Sequence, residues 1–215
     1  MTFILPPAVG YTMSNKQELY EYLAESRLLK NPDLKRAFSK VDRANFVLPS
    51  YTDIAYEDHP LPIGFGQSIS QPSTVAFMLD LLDPKKDHVV LDIGSGSGWT
   101  TAMLAESVGP KGRVYSVEII PQMLEFAKHN LKKYRYRNVT FRQSGPRLGL
   151  PEFSPYHKIL VSAEAPDLSP TLLDQLATGG TLVLPISGNI LQIDKISDEL
   201  LESRAFPGFA FVPLQ

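Results

Sequence analysis

The stretch from Val89 to Gly98 reads Val-Val-Leu-Asp-Ile-Gly-Ser-Gly-Ser-Gly. A short apolar strand runs into Gly94, Gly96 and Gly98, and a helical pattern begins at Trp99. Glycines at such a turn let the backbone bend sharply and lie close to a ligand. The helix behind them offers N–H groups without intrahelical partners. Glu118 closes the next strand, 118 − 98 = 20 residues after the last glycine, where a carboxylate can accept both hydroxyls of a ribose. A dinucleotide site would place its third glycine at position 99, which Trp99 occupies. Asp92, inside the motif, would instead face the cationic amino-acid end and sulfonium of S-adenosylmethionine. A glycine turn can also serve the fold alone, but Asp92 before it and Glu118 after it favour a bound nucleoside cofactor.

The elements that must position these residues are set by periodicity. Ser14 and Gln17 have capping-box spacing ahead of a helical pattern that runs through Leu29. Asn31-Pro32 caps a second helix with Leu34, Ala37, Phe38 and Val41 on one face. Residues 45–71 read as extended loop with short strands, and Ser70-Gln-Pro72 opens a third helix, with Ser70 a plausible N-cap. From Val89 onward strand and helix alternate: strands at Val89–Ile93, Arg113–Glu118, Val139–Gln143 and Lys158–Ser162, helices from Trp99, Pro121 and Ser169-Pro170. Gly179-Gly180 is expected to close the last helix before a strand over Thr181–Ile186, and two further strand-like pieces come at Ile190–Ile196 and Phe209–Leu214. This order predicts an α/β, Rossmann-like, doubly wound and mostly parallel sheet, with antiparallel strands at one C-terminal edge and extra helices at the N-terminus.

The 215 residues suffice for one domain over 14–215 behind a tail at 1–13. Without cysteine there are no disulfides, zinc–thiolate sites or cysteine nucleophiles, and the four histidines lack metal-ligand spacing, so no metal is expected. The net charge of −2 predicts no general attraction to nucleic acid or acidic membrane. No stretch reaches the roughly 20 apolar residues of a membrane span, and the N-terminus lacks the pattern of a secretion signal. The expectation is a cytoplasmic monomer. The 18 prolines exceed the 14 glycines; Pro32, Pro72, Pro121 and Pro170 fall at expected helix starts, where a missing N–H costs nothing.

The segment after the fourth strand suggests the acceptor. Val161-Ser-Ala-Glu-Ala-Pro166 lacks the Asn/Asp-Pro-Pro-aromatic turn with which methyltransferases hold planar amines. A carboxylate acceptor asks for less, because a carboxyl group with a pKa of about 4 is already ionised at pH 7. The enzyme then needs only to align oxygen and methyl carbon and exclude water.

The segment His59-Pro-Leu-Pro-Ile-Gly-Phe-Gly-Gln-Ser-Ile-Ser-Gln-Pro72 closely resembles the signature of the protein-L-isoaspartate (D-aspartate) O-methyltransferase family. The resemblance continues through Val90–Gly98, Val114–Pro121, Ala165-Pro166, Leu172–Leu176, Gly179-Gly180, Leu184-Pro185 and Phe211–Leu214, from about residue 14 to the end. It implies a class I methyltransferase that uses S-adenosyl-L-methionine to esterify L-isoaspartyl carboxylates in damaged proteins or peptides, releasing S-adenosyl-L-homocysteine and initiating repair. It further implies that Ser70 lies at the methyl-transfer centre and holds the acceptor carboxylate. Gln67, Ser68, Ile69 and Ser70 would line the cofactor. Asp92, Gly94, Ser95, Gly96, Gly98, Glu118, Ile119, Ser144 and Gly145 match its other contacts, and Val212 and Leu214 match backbone that pairs with the substrate.

Three positions depart from the family pattern. Ser144-Gly145-Pro146 replaces Gly-Asp-Gly, whose aspartate holds the adenine amino group; the loss of a charged acceptor is worth roughly 1.5–3 kcal/mol. Glu164 stands where small residues are usual and is expected to bias the acceptor towards peptides with a basic neighbour. Asp42 replaces a proline and reads as structural. Alternative readings are a methyltransferase of the same fold acting on another carboxylate or hydroxyl, or a cofactor-binding protein module with weakened catalysis. The basic run Lys128–Arg137, interleaved with tyrosines, is read as a solvated helix end rather than an RNA-binding surface.

Overall fold

The computed structural model describes residues 13–214. The tail expected at 1–13 lies outside that range except for Met13, which is buried. The first helix, α1, spans Lys16–Glu25. Its cap is Asn15, whose side chain accepts from Glu18 N at 3.0 Å, while Ser14 N donates to the Glu18 carboxylate at 2.7 Å. The capping pair is thus one residue later than Ser14 and Gln17. The helix also ends before Leu29, because Arg27 takes a left-handed φ of 57° and turns the chain. Helix α2, Pro32–Lys40, forms as its sequence dictates, with Asn31 accepting from Asp33 N and Leu34, Ala37 and Phe38 buried.

Two 3₁₀ turns, Arg43–Phe46 and Pro49–Ile54, lead to a hairpin of β1, Leu61–Gly64, and β2, Gln67–Ile69. Asp42 serves the framework: its carboxylate accepts from Ala44 N at 3.1 Å and from the Tyr56 hydroxyl at 3.0 Å. Helix α3, Pro72–Leu82, has Gln71 rather than Ser70 at its N-cap position, with no cap from its own side chain. The first turn is instead capped from a distance, Ser73 N donating to Asp58 Oδ1 at 2.8 Å.

The alternating half then gives β3 Val89–Ile93, α4 Trp99–Val108, β4 Arg113–Glu118, α5 Pro121–Leu131, β5 Val139–Gln143, β6 Tyr156–Val161, α6 Pro170–Gln175, β7 Leu176–Ile186, β8 Asn189–Lys195 and β9 Leu201–Pro207. These strands form a sheet in the order β5-β4-β3-β6-β7-β8-β9, parallel from β5 to β7 and antiparallel from β7 to β9. Alternate residues feed two cores. Val90, Leu160 and Val183 join a cluster with α1 to α5, while Leu91, Ile159, Val161, Leu182 and Leu184 join Leu172 of α6 on the other face.

Towards the C-terminus two further features differ from the sequence expectation. Helix α6 stops at Gln175, and Gly179-Gly180 lie inside β7, at a register shift against β6. A Cβ at Gly180 would stand 2.7 Å from the Ala177 carbonyl oxygen and 3.0 Å from that of His157, so this glycine permits close backbone approach and does not end a helix. The last sheet strand is β9. Phe209–Leu214 forms no strand of the sheet and makes one parallel bridge, Glu164 with Pro213.

Candidate active site

Strand β3 pairs with β4 on one side and β6 on the other, so the chain order reverses at β3 and a crevice opens beyond the carboxyl ends of β3 and β6. Ser162 N donates to the Ile93 carbonyl at 2.9 Å and closes the floor. Three adjoining cavities occupy the crevice. Ser68, from the β1–β2 hairpin, and Ser162, beyond β6, line all three.

The first cavity is bordered by Gln67, Gly94, Gly96, Glu118, Ile119, Ser144, Val212 and Leu214. The second lies against the glycine loop and the start of α4, with Ile69, Ser70, Ser95, Trp99 and Thr100 on its wall. The loop's amides are largely committed: Gly94 N and Ser95 N donate to the Val117 carbonyl, Gly98 N to that of Ser95, and Gly96 N to Glu118 Oε2 at 2.9 Å. Glu118 Oε1 accepts from Ile120 N at 3.0 Å. The carboxylate therefore braces both the loop and its own turn, and each oxygen keeps lone-pair capacity for a ligand hydroxyl. Ser95 Oγ and Trp99 Nε1 are buried without hydrogen-bond partners. The wall thus holds unused polar groups beside a glycine cradle, which fits a nucleoside cofactor with a polar amino-acid end.

Three of the residues expected at the cofactor do not reach a cavity wall. Asp92 is fully buried beneath the loop, where Oδ2 accepts from the Thr101 hydroxyl at 2.6 Å and the Ser116 hydroxyl lies at 3.5 Å. Burial, reinforced by the Glu118 charge, pushes its carboxyl up to about 6. Spacing placed Asp92 in the motif but could not give the direction of its side chain. Gly98 is the N-cap of α4 with φ +88°, and its missing Cβ makes room for Leu131 and Ala127 of α5. Gly145 is exposed, so of Ser144-Gly145-Pro146 only Ser144 borders the site.

The third cavity, about 430 Å³, is lined by Pro60, Ser68, Ser70, Gln71, Thr74, Ser162, Gly208, Phe209, Ala210, Phe211 and Val212. None of these side chains is ionisable. Ser70 lines both this cavity and the second one. Val212 and Leu214 do border the site, but their inward backbone groups are taken: Glu164 N donates to the Val212 carbonyl and Leu214 N to the Glu164 carbonyl, each at 2.8 Å. The Glu164 carboxylate accepts from Gly188 N at 3.0 Å and so is tied to the β7–β8 turn. Ser162, Thr74, Phe209 and Phe211 were not singled out in the sequence. For Ser162 the signal was available, since it ends the expected strand Lys158–Ser162 at the ligand-binding edge of an open sheet.

The basic run 128–137 splits between the end of α5, a 3₁₀ turn and a loop. Its tyrosines belong to the framework. The Tyr134 hydroxyl accepts from Asp42 N and from Asn45 Nδ2, and the Tyr136 hydroxyl donates to Glu106.

Comparison with known proteins agrees with this architecture. The family model for protein-L-isoaspartate(D-aspartate) O-methyltransferase matches residues 14–215. A protein-L-isoaspartate O-methyltransferase of Aeropyrum pernix is 46% identical over 201 residues, covering 91% of this chain and 77% of the relative. One from Methanopyrus kandleri is 43% identical over 204 residues, covering 93% and 90%. A solved protein-L-isoaspartate O-methyltransferase superposes with a TM-score of 0.85 at 29% identity, over 93% of this chain and 66% of that one.

Proposed function

The chain belongs to the protein-L-isoaspartate(D-aspartate) O-methyltransferase family, and from that membership we propose that it transfers a methyl group from S-adenosylmethionine to the free carboxylate of L-isoaspartyl residues in proteins and peptides. The observation that carries this reading is the acceptor cavity beside Ser70, whose wall has no ionisable side chain. An amine with a pKa near 10 would need a base to become nucleophilic, whereas a carboxylate arrives ionised. S-adenosylmethionine, when bound, supplies an electrophilic methyl group on a sulfonium.

In this reading Glu118 accepts from the ribose hydroxyls while keeping the Gly96 and Ile120 amides. Gln67, Ser68, Ile69, Gly94, Ser95, Gly96, Ile119 and Ser144 enclose the cofactor. The Ser70 hydroxyl donates to one carboxylate oxygen and directs the other towards the methyl group. Phe209 and Phe211 help to keep water from the acceptor. The substrate backbone lies along Val212–Leu214, using the groups that Glu164 leaves free. The methyl ester so formed is open to attack by the following backbone nitrogen, which loses its proton as methanol leaves and the succinimide closes; water then reopens the ring, in part to normal aspartate. We further read the protein as a cytoplasmic monomer acting on polypeptide and not on nucleic acid; among the described residues no helix is long and apolar enough to cross a membrane.

The test is to incubate the protein with S-adenosylmethionine and matched isoaspartyl and aspartyl peptides. Base-labile methyl ester on the isoaspartyl peptide alone is expected. Ester on other acceptors only, or cofactor binding with no turnover, would overturn the assignment. Ser70→Ala should lower kcat at least tenfold and leave the affinity for S-adenosylhomocysteine within threefold; unchanged turnover would remove Ser70 from the mechanism.

A further inference from the structure

The first turn after α2 carries Arg43, whose side chain is 1% exposed. Its guanidinium donates to four carbonyl groups. Three belong to one loop: Ala55 at 2.6 Å, Glu57 at 3.5 Å and His59 at 3.0 Å. The fourth, at 3.1 Å, is the carbonyl of Ser70. No carboxylate pairs with it directly among the described residues. Asp58 is the acidic neighbour that favours its charge, while burial lowers its pKa to about 9, so it stays cationic at neutral pH. The face of the guanidinium lies over the Trp99 ring, 5.4 Å from its centroid.

Asp58, 5% exposed, grips the same turn further along. It accepts from Ser73 N at 2.8 Å, from Gln71 Nε2 at 3.2 Å and from the Tyr22 hydroxyl at 3.1 Å. The turn from β2 into α3 is therefore held at residue 70 by a buried cation and at residues 71 and 73 by a buried anion. Burying a charge is costly, and apolar residues of similar volume often stabilise a fold as well or better. A guanidinium here does what an apolar side chain cannot: its planar fork fixes backbone carbonyls from two separate segments. Its other contact, Trp99, stands on the wall of the cavity formed by the glycine loop.

We propose that Arg43 is a positioning residue for Ser70, locking from behind the turn on which Ser70 lines the acceptor cavity, with Asp58 fixing that turn from its other end. The inference rests on Ser70 being the group that holds the acceptor carboxylate. A loose turn would leave the hydroxyl present but misplaced, and misplacement by about 1 Å can cost on the order of 100-fold in rate.

The experiment is a double-mutant cycle on the full chain, using an isoaspartyl hexapeptide and reading kcat/KM, S-adenosylhomocysteine affinity and Tm. Arg43→Lys keeps the charge and loses the fork. We expect it to lower kcat/KM at least tenfold in the wild-type background and less than threefold in the Ser70→Ala background, with cofactor affinity within threefold in both. A structural defect alone would lower activity equally in both backgrounds, in step with Tm. Equal losses would overturn the proposal. Asp58→Asn provides the same cycle from the other end of the turn should Arg43→Lys not fold, and equal losses there overturn it too. Absence of turnover in the wild type would overturn the functional reading and this inference with it. Turnover in the wild type with additive losses would overturn this inference alone.

Discussion

Gly96 and Gly98 belong to one motif, yet the structure gives them different work, and alanine at each separates the two. At Gly98 the backbone has φ +88°, and an added Cβ would stand 2.7 Å from Leu131 Cδ1, 3.1 Å from Ala127 Cβ and 3.2 Å from Ala127 Cα. The leucine tip can yield a little; the Cα of α5 cannot move without the helix. The left-handed backbone costs an alanine about 1–2 kcal/mol, and overpacking adds about 1–3 kcal/mol. At roughly 2–4 °C per kcal/mol for a chain of this size, Gly98→Ala should lower Tm by about 4–20 °C. At Gly96 the φ is +49° and the Cβ would meet only Ile63 Cδ1, at 3.4 Å. Gly96→Ala should therefore cost only the backbone term, a fall of about 2–8 °C. Its methyl group, however, stands on the wall shared by two cavities, and a tenfold loss of cofactor affinity corresponds to about 1.4 kcal/mol, within the range of one misplaced methyl. Thermal melts without ligand and calorimetric titration with S-adenosylhomocysteine measure the two effects. A Gly98→Ala protein melting like the wild type, or a Gly96→Ala protein binding within twofold of it, would refute the division of labour.

Asp92 has a folded-state pKa raised from the usual carboxyl value to about 6, so the folded state binds more protons than the unfolded state between about pH 4 and 6. Stability should then fall as pH rises through that window. Asp92→Asn should abolish this fall in denaturant titrations, and an unchanged pH profile would disprove it. His88 works in the opposite direction: burial lowers its pKa to about 4, so stability is lost as pH falls from about 6.5 towards 4. Making Asp92→Asn in a His88→Gln background isolates the carboxylate. Glu164→Gln retains an acceptor for Gly188 N and removes only the charge. If that charge selects basic neighbours, the kcat/KM ratio for lysine-flanked over glutamate-flanked isoaspartyl peptides should drop at least threefold, and an unchanged ratio would show that Glu164 serves the β7–β8 turn alone.

The inner parallel strands were legible because they are buried on both faces, which leaves short apolar runs such as Val89–Ile93; β5, at the sheet edge, has no buried residue and was marked by its place in the strand–helix alternation. β9 was not legible, because its residues are mostly exposed at the sheet edge and Leu201–Pro207 shows no alternation; Phe206 is its one ring packed on the core, edge-on to Phe77. Gly179-Gly180 misled because a glycine pair reads as a helix stop, while the requirement for it comes from backbone across the sheet. In the site, spacing named Glu118 and the family resemblance named Gln67 to Ser70, and all of them border the crevice because their positions depend on local turns. Spacing misdirected Asp92 because a strand's side chains leave on both faces, and this one meets Thr101 and Ser116. It passed over Arg43 because a lone basic residue in a loop is ordinarily solvated, and only the fold gathers four carbonyls around it.

Those two kinds of failure bear on how the site works. The ionised groups nearest the crevice mostly hold backbone: Glu118 the amides of Gly96 and Ile120, Asp58 that of Ser73, Arg43 the carbonyl of Ser70. The cavity beside Ser70, proposed for the acceptor, is lined by hydroxyls, an amide and aromatic rings. A reaction that must generate its nucleophile needs a titratable group pointing at it. A reaction whose nucleophile arrives as an anion needs the reverse, because a nearby carboxylate would repel the acceptor and an exposed cation would pair with it in unproductive poses. In the proposed reading, placing charge behind the backbone satisfies both demands, since it fixes the turn that carries Ser70 while leaving the cavity wall neutral. The chain thus directs its electrostatic resources to alignment, the one contribution that methyl transfer to a preformed carboxylate still requires.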